Sequence, residues 1–173
     1  NSAGILNFRQ SWMDGVRPGL MVFGINPLPA PQSILHLSPV LSFKTQVMQV
    51  RTVQRGCSIG YGNSFTASRD SRIATLPVGY ADGLMRALSN CGQVLIRGQR
   101  LPIVGTISMD LTLVDATEVA QADVGDEAVL IGKQGALEIR VEELAGLAQT
   151  IPYEILTRIG TRVPRVYLGQ EPS

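Results

Sequence analysis

The sequence is poor in the residues that build metal sites and disulfide frameworks. It contains one histidine, His36, and two cysteines, Cys57 and Cys91. A single histidine excludes a multi-histidine metal site, and one possible cysteine pair is too few for a disulfide framework, so we expect reduced thiols and no metal. The motifs CxxC, GxxxxGKS/T and GxGxxG are also missing. Their absence leaves the commonest zinc, P-loop and dinucleotide-binding classes without support.

Long apolar runs and an excess of charge are missing as well. The formal net charge is +1, so neither nucleic acid nor an anionic membrane surface is predicted as a partner. Apolar runs such as Leu20 to Phe23 are far shorter than the roughly 20 residues that a spanning helix needs, and Asn1-Ser2-Ala3 does not resemble the start of a secretory signal. We expect a cytoplasmic globular chain whose 173 residues form one domain, or one domain plus a fragment.

The first 30 residues differ in pattern from the rest. A glycine-bounded turn, Gly15 to Gly19, leads into the wholly apolar stretch Leu20 to Phe23, which is typical of a strand buried on both faces. Such strands belong to parallel sheets covered by helices, and no strand-helix repeat follows. We therefore expect residues 1–30 to be the end of a larger α/β unit. Three closely spaced prolines between Asn26 and Pro31 predict a stiff connection, and we place the domain boundary between residues 30 and 31.

Residues 31–173 predict a mainly β domain with one or two short helices. Short runs with period-two alternation are separated by turn residues, and many short strands in one compact region favour a barrel or a sandwich. The turn Arg97-Gly98-Gln99 predicts a tight hairpin. The predicted strands are Leu41 to Thr52, Arg72 to Pro77, Gln93 to Ile96, Leu101 to Val104, Leu111 to Val114 and Ala128 to Ile131. Helices are predicted at Val141 to Gln149 and from Pro152 to Gly160.

One stretch of the sequence contains a candidate catalytic residue. Tyr61 lies between Gly60 and Gly62, and two glycines permit positive φ angles and a close approach of another surface. The alternative is a tyrosine in an ordinary β-turn with its hydroxyl in water. Two further turns have unusual polar content and contain Tyr80 and Met109. Taken singly, Tyr80 could be a surface turn residue and Met109 a core residue that fills a gap.

The order of these motifs resembles a known family. Gly-Tyr-Gly, Gly-Tyr-Ala-Asp-Gly, Ser-Met-Asp and Arg-Val-Pro-Arg, with Arg17-Pro18-Gly19 and Asn1-Ser2-Ala3 ahead of them, resemble the C-terminal part of bacterial alanine racemase over nearly the whole chain. The resemblance implies that residues 1–30 are the last strands of an α/β barrel of the TIM type that binds pyridoxal 5′-phosphate (PLP) on a lysine. It also implies that residues 31–173 are the family's C-terminal β-barrel domain. Neither Lys44 nor Lys133 matches the lysine motif, so the PLP-binding lysine is expected upstream of Asn1.

The resemblance also implies roles for individual residues. Tyr61 matches the base that takes the α-proton of L-alanine, opposite the lysine that serves the other face. Met109 matches the residue whose backbone N–H meets the substrate carboxylate, and Arg17 matches the arginine that faces the pyridine nitrogen of PLP. The cofactor phosphate is assigned to Ser2, Gly19 and Leu20, and the corridor leading to the active site to Tyr80, Arg86 and Ile159. Thr106 and Thr161 depart from the family, since some members have an arginine and a tyrosine there.

The family implies a reaction and a partner. The reaction is the interconversion of L- and D-alanine by two bases, with D-alanine supplied for peptidoglycan synthesis. Active sites are shared between the two subunits of a homodimer, and we expect the chain alone to be inactive. Two alternatives remain open. One is a related PLP enzyme, either a serine or broad-specificity racemase or a decarboxylase, although neither cysteine resembles the cysteine-bearing loop of the decarboxylases. The other is a β-domain that serves as a binding or assembly module without catalysis.

Overall fold

The computed structural model describes residues 1–28 and 36–169. The domain boundary predicted between residues 30 and 31 lies outside these ranges and stays a prediction. The predicted mainly β class is confirmed, because strands dominate the second described range. Helices within the described residues are short, and none of them is long and apolar enough to cross a membrane.

The strands form two larger antiparallel sheets and a small hairpin. The strands are β1 (Phe43–Gln46), β2 (Gln49–Val53), β3 (Ser58–Ile59), β4 (Phe65–Thr66), β5 (Ser71–Leu76), β6 (Gln93–Ile96), β7 (Gln99–Pro102), β8 (Thr112–Asp115), β9 (Glu127–Gln134) and β10 (Leu137–Ile139). One sheet has the order β1-β9-β6-β7, with β10 also paired to β9; the second has the order β2-β5-β8, and β3 pairs with β4. A bridge between Ile103 and Val114 connects the two larger sheets.

Three α-helices occur in the described residues, one near the start and two near the end. They are α1 (Ser2–Asn7), α2 (Val141–Leu147) and α3 (Pro152–Arg158). The two C-terminal helices confirm their predictions: acidic side chains occupy the first turn of α2, where they interact favourably with the helix dipole, and Pro152 occupies the first turn of α3, where its missing N–H costs nothing. Short 3₁₀ helices span Arg9–Trp12, Leu20–Phe23, Tyr61–Asn63, Tyr80–Asp82 and Arg86–Leu88.

The strand predicted at Leu20 to Phe23 is wrong. These residues form a 3₁₀ helix that ends at Gly24, whose φ of 74° is left-handed, and Leu20 is their one buried side chain. A strand is stable only when a neighbour takes up its backbone hydrogen bonds, and residues 1–28 pair with no strand in the described part of the chain. The expected barrel strands are therefore not formed in this segment.

The long strand predicted from Leu41 to Thr52 is two strands. The chain changes partner within it, because β1 pairs with β9 and β2 pairs with β5. The remaining predicted strands lie where they were expected to within two residues, except that β9 extends further at its C-terminal end. The hairpin predicted around Arg97-Gly98-Gln99 is confirmed by the pairing of β6 with β7.

The main core lies between the larger sheets and the two C-terminal helices. Its centre is β6, where Val94, Leu95 and Ile96 are fully buried, and α2 and α3 contribute Leu144 and Ile155. A smaller cluster of Ile59, Ala67, Ile73 and Val104 packs under the β3–β4 hairpin. This second cluster fixes the base of the hairpin that carries Tyr61.

Candidate active site

An open cleft of about 460 Å³ brings together four of the predicted site residues, Tyr61, Met109, Tyr80 and Arg86. These residues are far apart in the sequence, and the β-domain folds them onto one surface. Its full lining is Tyr61, Tyr80, Arg86, Thr106, Ile107, Ser108, Met109, Asp110 and Leu111. Among these lining residues Arg86 is the one with a positively charged side chain and Asp110 the one with a carboxylate.

Tyr61 lies at the tip of the β3–β4 hairpin. Gly60 and Gly62 on either side have φ angles of 78° and 71°, a left-handed conformation that glycine adopts without steric cost. The tyrosine side chain is 74% exposed. Exposure alone would also suit a turn tyrosine with its hydroxyl in water, so the argument for chemistry depends on what surrounds it.

The hairpin packs closely against the loop that contains Thr106. A Cβ atom on Gly105 would lie 2.7 Å from the carbonyl oxygen of Ile59, and one on Gly60 would lie 3.1 Å from the backbone nitrogen of Thr106. Only glycine permits two backbones to approach this closely. The close approach expected from the glycines beside Tyr61 is present at Gly60, whereas a Cβ atom on Gly62 would contact nothing within 4 Å. The contact at Gly60 fixes the hairpin on one wall of the cleft.

Tyr80 and Met109 come from two loops that are bonded to each other. The Tyr80 N–H donates to the Ser108 carbonyl at 3.0 Å, and the Ala81 N–H donates to the Met109 carbonyl at 3.0 Å. A Cβ atom on Gly79 would overlap both of these carbonyl groups. Glycine at this position therefore allows the two loops to form a single wall.

Met109 has its backbone available for a ligand. Its side chain is 52% exposed, so it is not a core residue that fills a gap. Neither its N–H nor that of Asp110 donates a hydrogen bond to any residue in ranges 1–28 and 36–169. Two free amide donors in an open cleft suit a carboxylate.

Arg162 joins the two loops from outside the cleft, and sequence analysis did not single it out. Its guanidinium lies 3.3 Å from an Asp82 oxygen and 2.7 Å from an Asp110 oxygen. The hydrogen bond to Asp110, followed by the charge of Asp82, raises the pKa of Arg162. Asp82 also accepts the Gly79 N–H at 2.9 Å. Arg162 begins the Arg-Val-Pro-Arg motif, which could have identified it, but its two aspartate partners are distant in sequence.

The residues assigned to the cofactor phosphate form a second cluster. The Ser2 hydroxyl accepts the Gly19 N–H at 2.8 Å and the Met21 N–H at 3.3 Å. The N–H of Leu20 donates to no acceptor in the described part of the chain. Tyr153, which sequence analysis missed, lies beside this turn, because a Cβ atom on Gly19 would be 3.7 Å from its Cε1.

This second cluster fits a phosphate by its chemistry. The Ser2 oxygen occupies the Gly19 and Met21 N–H groups, so the Ser2 hydroxyl proton and the Leu20 N–H are the donors left at this glycine turn, and such donors suit an anion. Arg17 is exposed and forms no ion pair within the described residues. Ile159, assigned to the corridor, is 8% exposed and belongs to the core, so it does not line the cleft with Tyr80 and Arg86.

The cleft and the phosphate cluster share no residue. The described residues contain no group of three or more histidine, cysteine, aspartate or glutamate side chains that could hold a metal ion. The chain therefore presents two partial sites, one with a phenol, free amides and an arginine, and one with donors for an anion.

Residues 40–167 match the family described as "Alanine racemase, C-terminal domain". The chain belongs to the alanine racemase family. A curated relative, the alanine racemase of Halothermothrix orenii, is 47% identical over 167 residues, which make up 96% of this chain and 44% of the relative. The chain thus spans less than half the length of the relatives it matches.

Solved alanine racemases have the same fold. The enzyme from Streptomyces lavendulae superposes with a TM-score of 0.91 at 40% identity, covering 99% of this chain and 45% of that one. The enzyme from Bartonella henselae, solved with covalently bound pyridoxal phosphate, has a TM-score of 0.87 at 40% identity and covers 97% of this chain and 45% of that one.

Proposed function

We propose that this chain is the C-terminal part of a PLP-dependent alanine racemase whose N-terminal part supplies the PLP-binding lysine. The observation that carries the proposal is the cleft, in which Tyr61, Met109, Tyr80 and Arg86 meet. Of the two lysines in the sequence, neither lines the cleft, and Lys44 is paired with Glu127 on β9. The chain alone is therefore expected to bind no PLP covalently.

In this proposal Tyr61 removes or returns the α-proton on one face of alanine. PLP, when bound, withdraws electrons from the α-carbon and makes that proton acidic. A free phenol has a pKa of about 10, so a working base needs its anion stabilised. Arg86 is the positive side chain that lines the same cleft, and the free N–H groups of Met109 and Asp110 hold the carboxylate of the substrate.

The N-terminal cluster holds the cofactor in this proposal. Ser2, Gly19 and Leu20 would hold the phosphate, and the ring of Tyr153 packs beside them. Arg17 would donate to the pyridine nitrogen and, because a guanidinium keeps its proton, would leave that nitrogen unprotonated. PLP held in this way would withdraw electrons less strongly, which would favour racemisation over side reactions.

The test of this function uses Tyr61→Phe in the full-length enzyme. The variant should lose racemisation by a factor of about 10² to 10⁴, as is typical for a positioned base. It should still exchange the α-hydrogen of D-alanine with solvent deuterium, because the lysine serves that face. Exchange into L-alanine should fall much further. The two exchange rates are measured by NMR in D₂O at equal concentrations of folded enzyme.

Tyr167→Phe is the matched control, since it makes the same change at an exposed tyrosine in the C-terminal tail and should alter neither rate. A Tyr61→Phe enzyme in which the ratio of the two exchange rates equals that of the unmutated enzyme would remove Tyr61 from the mechanism. Racemisation by the unmutated enzyme of L-serine in preference to L-alanine would replace the substrate but keep the two-base reaction.

We also propose a homodimer with shared active sites. Tyr61, Tyr80, Met109 and Leu111 expose apolar surface around the cleft, and a patch of this kind commonly marks a protein interface. The phosphate cluster of a second subunit is the partner that would complete the site, because the cleft and the cluster share no residue within one chain.

Complementation tests the shared site. A Tyr61→Phe variant and a variant without the PLP-binding lysine should each racemise far more slowly than the unmutated enzyme, and mixing them should raise the rate through hybrid dimers with one intact site. Subunit exchange is verified separately with differently tagged chains. Exchange without recovered activity would mean that Tyr61 serves the cofactor of its own subunit.

One observation favours a second candidate, a broader amino-acid racemase. Thr106 lines the cleft at a position where some family members have an arginine, and a smaller neutral side chain leaves room for a larger substrate. From the family resemblance alone, we further propose that the enzyme acts in the cytoplasm and supplies D-alanine for peptidoglycan. Relative rates with alanine and serine decide between the two substrates.

A further inference from the structure

We propose that Thr106 is a positioning residue for Tyr61, at the end of a directional chain of hydrogen bonds that begins at Asn90. The chain runs from Asn90 through Ser64 and Thr106 to the backbone of Tyr61. The proposal rests on the proposed function, because the position of Tyr61 matters for catalysis only if Tyr61 transfers a proton.

The direction of the chain follows from the number of protons available. The Thr106 hydroxyl donates to the Tyr61 carbonyl oxygen at 3.0 Å, which uses its one proton. In the 2.9 Å contact between the hydroxyls of Thr106 and Ser64, Ser64 is therefore the donor. The Ser64 oxygen is then left to accept from Asn90 Nδ2 at 3.3 Å. Hydrogen bonds aligned in this way polarise and strengthen one another.

Asn90 connects the chain back to the same wall of the cleft. Its Nδ2 also donates to the Ser64 carbonyl at 3.3 Å, and its Oδ1 accepts the Gly105 N–H at 2.6 Å. Asn90 has a φ of 60°, a left-handed conformation that asparagine tolerates better than most residues. Both ends of this chain of hydrogen bonds are thus bonded to the Gly105-Thr106 segment. The bonds therefore form a closed ring around the hairpin tip.

The hairpin tip needs this support because its own backbone supplies little. The ladder between β3 and β4 ends with the pair of Ile59 and Phe65, so Tyr61 lies beyond the last paired residues. The glycines on each side add conformational freedom. The hydroxyl of Thr106 fixes the Tyr61 carbonyl, and with it the direction in which the side chain leaves the backbone.

The test compares Thr106→Val with Thr106→Ser in the full-length enzyme. Valine has nearly the same shape but no hydroxyl, whereas serine keeps the hydroxyl. Because a displacement of about 1 Å can cost a rate factor of about 10², we expect the valine variant to lose about 10- to 100-fold in kcat, with KM changed by less than about twofold. The serine variant should stay within about twofold of the unmutated enzyme in both constants.

A double variant separates positioning from a general structural effect. If Thr106 acts through the Tyr61 hydroxyl, adding Thr106→Val to Tyr61→Phe should lower the residual rate no further. Additive losses in the double variant, or equal losses with valine and serine, would overturn the proposal. If the valine variant does not fold, Ser64→Ala provides the test: it cuts the chain one step earlier and should give a smaller loss in kcat, while an unchanged kcat would overturn the proposal.

NMR of this chain gives an answer that does not depend on activity. The sequence contains 4 tyrosines, so 3-fluorotyrosine labelling gives few signals, and Tyr61→Phe assigns the one of interest. Thr106→Val should shift or broaden the Tyr61 signal and leave that of Tyr167 unchanged, while Thr106→Ser should move neither. An unmoved Tyr61 signal with valine would overturn the hydrogen-bond chain. If the Tyr61 signal moves but the unmutated full-length enzyme racemises no amino acid, the chain of hydrogen bonds is supported and the proposed function is overturned.

Discussion

Residues 1–28 and the β-domain at 36–169 contain similar apolar residues but bury them to different extents. In the N-terminal segment Phe8, Met13 and Val22 are exposed, and Leu20 and Ile25 are its buried apolar side chains. In the β-domain, long runs such as Val94 to Ile96 are fully buried. The difference lies in the partners: every strand of the domain has a neighbour, and the segment has none among the described residues.

The comparison shows that a hydrophobic pattern becomes core only when a partner element is present to cover it. The segment is attached to the domain at a few points, such as the 3.4 Å hydrogen bond from the Val40 N–H to the Phe23 carbonyl. It also makes internal bonds through Ser2. Its shape therefore comes from short turns and from the bonds of Ser2, whereas the shape of the domain comes from the pairing of strands.

The largest expected effect contrasts one side chain from each region. Leu95→Ala removes a fully buried side chain from β6 and should lower the free energy of unfolding by about 2–5 kcal/mol. Met13→Ala, at a side chain that is 90% exposed, should change it by less than about 0.5 kcal/mol. Urea unfolding of the chain measures both. A cost for Met13→Ala near that for Leu95→Ala would mean that Met13 is covered in the folded protein.

A smaller effect is expected where the two regions meet. Gly24 has a φ of 74°, and a Cβ atom there would overlap the Ser38 carbonyl. Gly24→Ala should loosen the segment locally by about 1–2 kcal/mol, the usual strain of a left-handed non-glycine residue. Amide hydrogen exchange should then speed up at Leu20 to Ile25 and stay unchanged in β6.

Gly15→Ala is the control for this prediction, because Gly15 lies in the same segment and a Cβ atom there would contact nothing within 4 Å. It should leave exchange unchanged in both regions. Faster exchange in β6 of the Gly24→Ala variant would show that the two regions unfold as one unit, and the contrast between them would not hold.

The smallest expected effect is a change in the pH dependence of stability at low pH. The hydrogen bond from Arg97 lowers the pKa of Asp126 in the β-domain, whereas residues 1–28 form no ion pair within the described residues. A lowered folded-state pKa stabilises the domain above the ordinary pKa of aspartate, about 3.9, and this contribution is lost as the pH falls through the lower folded value.

Asp126→Asn should therefore lower the free energy of unfolding at pH 7 by about 1 kcal/mol, the upper end of the range for surface ion pairs, because Asp126 is half-buried. At pH 2 to 3 the variant and the unmutated chain should become more alike. Urea unfolding at the two pH values is the measurement. A difference between the chains that grows on acidification would contradict the assigned direction.

Much of the domain was predictable because its signals are local. The bounds of β6 agree with the apolar run between two turns, and Pro152 identifies the start of α3. The hairpin that carries Tyr61 was predictable only in outline, since β3 and β4 have two residues each. The side chains of the cleft followed from the family motifs, but their meeting at one surface required the fold.

The errors have a common physical cause, which is that pairing is not a local property. Leu20 to Phe23 is apolar enough for a strand, yet it has no neighbour and forms a 3₁₀ helix. Ile159, which the family resemblance assigned to the corridor, is buried in the core just after α3, and its corridor role stays a prediction. Sequence analysis did not assign Tyr153 to a site, because an aromatic residue in a helix is usually a packing residue. Its position beside Gly19 is known only from the fold.

The change of partner at Val47 has a consequence for the order of folding during synthesis. Val47 bonds to Asp126 through its N–H, and the next residue, Met48, bonds to Thr75. A ribosome makes the partner of β2 soon after β2 itself, but the partner of β1 is β9, which is made far later. Until then β1 has an open edge and one apolar side chain, Phe43, without a cover. The sheet that contains β2 and β5 can form early, while the other sheet forms only when most of the domain has been made. Val47 lies between the strand that pairs late and the strand that pairs early.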